Sequence, residues 1–263
     1  MRYAPGSDGP VPYFPKNVTG SACLAGVNKS IDQSVDSSVT QRPEKFIEFA
    51  VESGVLAFGD FTTKSGRKTP YFFNAGRFDR GGALHRLAGF YAQTILAACQ
   101  AGRLRFDMLF GPAYKGIALA AATAMALSER GVDVPYSYNR KEAKDHGEGG
   151  LLVGAPLAGR VLIIDDVITD GAAKRESVAL IRAQDAEPAG VVIMLDRRER
   201  TGPDNDLSAE SAVQAFERST GTPVIAIADV DDLLGFLRSD SPLAAPLRDR
   251  IPAVEQYRKR YGA

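Results

Sequence analysis

Residues 160–181 read RVLIIDDVITDGAAKRESVALI, and their order decides the fold. Val161, Leu162, Ile163 and Ile164 form an unbroken apolar run, which suits a strand buried on both faces of a parallel sheet. Asp165 and Asp166 follow at once. Val167, Ile168, Thr169, Asp170 and Gly171 then lead into a helical pattern that starts at Ala172 and Ala173. In that pattern Val178 and Ile181 mark the apolar face, and Lys174, Arg175 and Glu176 are placed on the other. A tight turn into a helix directs unpaired backbone N–H groups and positive potential at one point, which makes an anion site suited to a phosphate. Thr169 adds a hydroxyl donor, and Gly171 lets the backbone pass close to a ligand. The two acids can accept hydrogen bonds from vicinal hydroxyls such as those of a ribose. The stretch therefore reads as a sugar-phosphate site. Apolar strands also end in Asp where an acidic pair only caps a helix or sits in solvent, and spacing alone leaves that reading open.

Working outward, the chain has 263 residues, enough for one large domain or two small ones. Its 32 basic and 32 acidic residues cancel, against a general nucleic-acid binder, which would carry a basic excess. No apolar run is long enough to cross a membrane, and the N-terminus lacks a signal-peptide layout. Two cysteines, Cys23 and Cys99, make a disulfide framework unexpected and a reduced, cytoplasmic setting the default. The two histidines, His85 and His146, show no zinc spacing. Residues 1–40 are rich in Gly, Pro, Ser and Asn without a period, and are expected to be a poorly ordered extension. Residues 41–263 are expected to form a single domain.

Further along the chain, a short helix is expected over 42–53 and a small antiparallel piece over 56–74. A helix follows over 81–101, then a strand over 106–110 that runs into GPAYKG at 111–116. Tyr114 and Lys115 thus stand at a second glycine-bearing strand-to-helix turn. A strand is expected over 134–140. After it, residues 141–150 have nothing apolar to bury and are expected to be an exposed loop. A buried strand over 190–195 ends at Arg197. A helix is expected over 206–217, a strand over 223–228 and a helix over 230–237. A final helix over 243–261 is expected to break near Pro252.

Five separated motifs over residues 42–240 resemble the orotate phosphoribosyltransferases, of the type I phosphoribosyltransferase family. DDVITDGAA at 165–173 is similar to the family's motif for phosphoribosyl pyrophosphate (PRPP). By that resemblance Asp165 and Asp166 hold the ribose hydroxyls, and Val167 to Ala173 wrap the 5′-phosphate. The closest members read TAGTA where this chain reads TDGAA, so Ala172 lacks a hydroxyl donor. FTTKSGR and PYFFN at 61–67 and 70–74 resemble the family's N-terminal hood. That resemblance places Lys64 on the diphosphate and Phe72 and Phe73 over the orotate ring, with Thr169 also at the base. GPAYKG implies diphosphate contacts from Tyr114 and Lys115. RKEAKDHG at 140–147 resembles the catalytic lid, in which Arg140, Lys141, Lys144 and His146 meet the diphosphate. The lid implies a homodimer, since in the family it closes over the neighbouring subunit's site. Arg197 matches the orotate-binding arginine, and a guanidinium fork suits a flat carboxylate. The catalytic set implied is Lys64, Lys144, His146 and Asp166, with Mg2+ held mainly by PRPP and no protein metal site.

The fold expected is α/β: a mostly parallel sheet flanked by helices, with a small N-terminal hood. The reaction implied joins orotate to PRPP and yields orotidine 5′-monophosphate and diphosphate. Three alternatives stand beside it: a phosphoribosyltransferase for another base, a non-catalytic PRPP or nucleotide sensor, and an aspartyl-phosphate protein. A sensor should lose the lid cations and gain a recognition module, and an aspartyl-phosphate protein should carry DxDxT.

Overall fold

The computed structural model describes residues 43–63, 66–144 and 150–263, with Ala143 and Lys144 described in the backbone only. The extension, Lys64 and His146 lie outside these residues. The fold grows from the quoted strand. β6 (Arg160–Ile164) lies at the centre of a sheet with the order β5-β4-β3-β6-β7-β8 among the described residues. β3 (Met108–Gly111), β4 (Tyr136–Lys144), β7 (Glu187–Asp196) and β8 (Val224–Asp229) join it through parallel pairings. β5 (Gly150–Gly154) adds an antiparallel edge beside β4.

The apolar run of β6 is buried on both faces, as its composition requires. Leu162 and Ile164 enter a large core with α2 (Gly81–Gln100) and α3 (Lys115–Ser128). Val161 and Ile163 enter a second core with α4 (Ala172–Arg182) and α5 (Ala212–Thr220). Alternation along the strand thus fills both layers. Parallel strands ending together leave their carboxyl ends and the following turns on one side, where ligands of such sheets bind.

The expected hood is present. β1 (Leu56–Thr62) pairs antiparallel with β2 (Lys68–Phe73), and α1 (Pro43–Glu52) packs beneath them through Phe46 and Phe49. The hood is clasped to the end of the chain. Arg67 is 8% exposed; its Nη1 and Nη2 donate to the carbonyls of Arg200 and Gly202 at 3.2 and 3.0 Å. Its guanidinium lies 4.2 Å from the ring centre of Tyr261, in α7 (Ile251–Tyr261). The last helix does begin beside Pro252, after a 3-10 turn over Ala245–Arg250.

Two expectations are corrected. The strand expected to end at Arg140 runs on to Lys144, and the antiparallel β5 starts at Gly150, so the described ends of the expected loop are strand. Its exposed Lys141 and Glu142 can stand in a strand because they lie near the sheet edge, where charges are tolerated and discourage further pairing. The helix expected from residue 206 starts at Ala212, because Ser211 and Gln214 form a reciprocal capping box that fixes the start. α6 (Val230–Arg238) agrees with its expected span to within a residue.

Candidate active site

The turns at the ends of β3, β6 and β7 meet the hood around a cavity of about 760 Å³. Its walls include Phe72 and Phe73 from β2, Lys115 from α3, residues 166–170 from the loop after β6, and Arg197 after β7.

The loop after β6 is held from several sides. Asp165 is buried, with Oδ2 2.6 Å from Lys174 Nζ, while its Oδ1 accepts the Asp166 N–H at 2.9 Å. Burial raises the Asp165 pKa, and Lys174 opposes that rise. Asp166 accepts the Val167 N–H at 2.7 Å on Oδ1 and Lys115 Nζ at 2.7 Å on Oδ2. Of the two acids only Asp166 lines the cavity; Asp165 is 7% exposed. Lys174 departs from expectation. It is 8% exposed and faces the acids, not solvent.

Gly171 caps α4 with φ 73°, a left-handed conformation, and a side chain there would meet Arg175. Asp170 and Thr169 are exposed at the mouth, as are Ala172 and Ala173, while Ile168 is buried and Val167 half-buried. The Ala172 N–H donates to Asp170 Oδ1 at 3.0 Å.

On the opposite wall, successive residues of β2 point to opposite faces. Phe72 leaves its ring 43% exposed, whereas Phe73 leans on the core with its centroid 6.3 Å from Phe46. Both border the cavity, and the accessible ring belongs to Phe72. Arg197 Nη2 lies 2.5 Å from Glu199 Oε1, and its guanidinium stands 5.6 Å from the Tyr71 ring centre. Burial works against its charge, but Tyr71 and Glu199 outweigh burial and raise its pKa.

At the third corner, Gly111 and Gly116 let the end of β3 and the start of α3 approach so closely that a Cβ on Gly111 would lie 2.1 Å from the Gly116 carbonyl oxygen. This turn presents Tyr114, 69% exposed, and Lys115. Lys141 Nζ reaches 5.0 Å from the Tyr114 ring centre, and Arg140 Nη1 donates to the Gly150 carbonyl at 3.2 Å across the hairpin. Neither Tyr114, Arg140 nor Lys141 borders the cavity itself. Lys64, His146 and the Lys144 side chain lie outside the described residues.

Two residues were missed from sequence. Lys174 had a signal, since residues 174, 178 and 181 share a helix face at the i, i+4, i+7 spacing. Glu199 had none, because its partners Arg67 and Tyr71 come from the distant hood.

The phosphoribosyl transferase domain family matches residues 78–222. Similar proteins include an orotate phosphoribosyltransferase of Herminiimonas arsenicoxydans, 58% identical over 222 residues, covering 83% of this chain and 97% of the relative. That of Laribacter hongkongensis is 59% identical over 219 residues, with the same coverage. The crystal structure of an orotate phosphoribosyltransferase from Francisella tularensis matches with a TM-score of 0.71 and 39% identity, over 83% of this chain and all (100%) of that one. On this agreement of sequence and fold, the chain belongs to the phosphoribosyl transferase family and, within it, to the orotate phosphoribosyltransferases.

Proposed function

We propose that the chain transfers the ribose 5-phosphate of PRPP to orotate, releasing diphosphate and forming orotidine 5′-monophosphate. One observation carries this reading: the sugar-phosphate loop and the wall formed by Phe72 and Arg197 share one cavity. The flat pyrimidine stacks on the Phe72 ring, and its carboxylate takes the Arg197 fork in competition with Glu199. The ribose hydroxyls donate to Asp166, and the loop from Val167 to Ala173 receives the 5′-phosphate.

In the reaction the anomeric C–O bond breaks and its electron pair leaves with diphosphate. Orotate N1 supplies the pair that forms the new C–N bond, and the N1 proton is released. Positive charge grows on the ribose and negative charge on the leaving group. Lys115, with Lys64, Lys141, Lys144 and His146 by family resemblance, gathers around the latter; Asp166 lies beside the former. Lid closure over the bound diphosphate excludes water. Asp165 and Asp166 are both engaged by lysines, which fits a magnesium ion carried mainly by PRPP oxygens rather than a protein cage. Bound there, magnesium would lower the charge on the departing diphosphate. No side chain need act as a nucleophile. We further propose that the chain works as a homodimer whose lid serves the partner's site, in the cytoplasm. Among the described residues no helix is long and apolar enough to cross a membrane.

The test is a spectrophotometric assay of orotate consumption with PRPP and magnesium. Loss of orotate absorbance that requires PRPP is the expected result. PRPP cleavage with another base but not orotate would support a different base specificity. PRPP binding without turnover of any base would favour a sensor.

A further inference from the structure

The two neighbouring acids after β6 meet different surroundings. Asp166 faces the cavity and meets Lys115 on its rim. Asp165 is turned inward, and each of its oxygens is engaged: Oδ1 by the Asp166 N–H and Oδ2 by Lys174. Its carbonyl accepts the Tyr91 hydroxyl at 2.7 Å, which pins the same residue from α2. Lys174 Nζ also stands 3.9 Å from Asp166 Oδ1, so one ammonium lies between both carboxylates. Lys174 and Asp165 are 8% and 7% exposed. A charge buried to that degree is costly alone and tolerable only with a hydrogen-bonded partner. The pair also ties the first turn of α4, where a phosphate would settle, to the end of β6, where the ribose would lie.

We propose that Lys174 is a positioning residue for PRPP: with Asp165 it forms an internal strut that sets the loop between them, leaving Asp166 as the acid offered to the ribose. This rests on the PRPP-dependent reading above. It assigns the two acids different work, and it gives a role to a lysine that touches neither substrate. Neither Lys174 nor Asp165 borders the cavity that Phe72 and Arg197 line. Loss of the strut should therefore act on PRPP and spare orotate.

The experiment is a double-mutant cycle of Lys174→Met, Asp165→Asn and both together, with Michaelis constants for each substrate and urea midpoints for each protein. Each single change should raise the Michaelis constant for PRPP at least about tenfold, because it strands a buried partner, and leave that for orotate within about twofold. The double variant should be no worse than the worse single one, since residues acting as one unit are not additive. Its urea midpoint should recover relative to Lys174→Met, because no unpaired charge remains buried; this keeps the cycle readable if that single variant folds poorly. Additive effects on PRPP would place Asp165 on the substrate independently of Lys174 and overturn the proposal. So would equal effects on both substrates, or a folded Lys174→Met with unchanged PRPP kinetics. A wild type that binds PRPP by calorimetry but leaves orotate untouched sinks only the enzymatic reading, and the cycle is then read from PRPP affinity. One that binds no PRPP sinks both.

Discussion

Asp170 places a carboxylate where the phosphate of PRPP is expected to settle. Its Oδ1 takes the Ala172 N–H, and Arg175 Nη2 donates to its carbonyl at 2.9 Å. A carboxylate at a helix start suits the helix, but it competes with an incoming anion for the same donor. Asp170→Ala should thus lower the Michaelis constant for PRPP by about two- to fivefold, while the lost hydrogen bond to the helix start costs about 0.5–1 kcal/mol of stability. A constant that rises would mean that Asp170 assists PRPP. Arg197→Ala should act on the other substrate. Removing a buried charged partner costs about 2–5 kcal/mol, here read as a large rise in the Michaelis constant for orotate and little change for PRPP. Equal changes for both would show that Arg197 supports the site without touching the base. Part of the effect belongs to Glu199, left near the cavity without its guanidinium.

At the level of elements, Asp107 and Arg160 hold the entry to β6 against β3. Arg160 donates to Asp107 through Nη2 at 2.8 Å, Nε at 3.0 Å and its backbone N–H at 2.8 Å. The hydrogen bonds from Arg160 hold the Asp107 pKa below the ordinary carboxylate value. A depressed folded pKa means stability that is full above the unfolded pKa and lost as pH falls through the folded one. Asp107→Asn should therefore unfold earlier in urea near neutral pH by about 1–2 kcal/mol, and the gap from wild type should begin to narrow below about pH 4 and close as the pH falls through the depressed folded value. A gap that persists in acid would assign the loss to packing. The elements themselves were largely legible, because apolar runs and helix periods are local. β6 agrees with its expected span to within a residue, and α4 starts at Ala172 as expected. The strand character of residues 141–144 and 150–154 was not legible, since pairing across the sheet edge supplies what composition withholds. In the site, loops and their residue types could be read, whereas the inward turn of Asp165 could not. Which acid faces the cavity depends on Lys174 and Tyr91, brought in by two different helices.

At the scale of the whole molecule, the hairpin of β4 and β5 stands at one edge of the sheet with Lys141 and Glu142 exposed, while the loop holding Asp166 lies near its centre. If the segment of sequence that holds Lys144 and His146 serves a partner's site, two defective chains should repair each other. Lys144→Ala should lower turnover strongly and leave the fold stable, since its charge acts only on bound diphosphate. Asp166→Asn should be nearly inactive through loss of the ribose acceptor. In a mixed dimer the Asp166→Asn chain lends an intact lid to the intact ribose loop of the Lys144→Ala chain, which restores one whole site; the second site carries both defects. Random association at equal amounts makes about half the dimers mixed, so activity should return to roughly a quarter of wild type. The measurement is orotate consumption after co-incubation, with exchange followed by tagging one chain. Exchange without recovery would mean that the lid closes on its own subunit. Recovery would require that no single chain of this protein holds a complete active site.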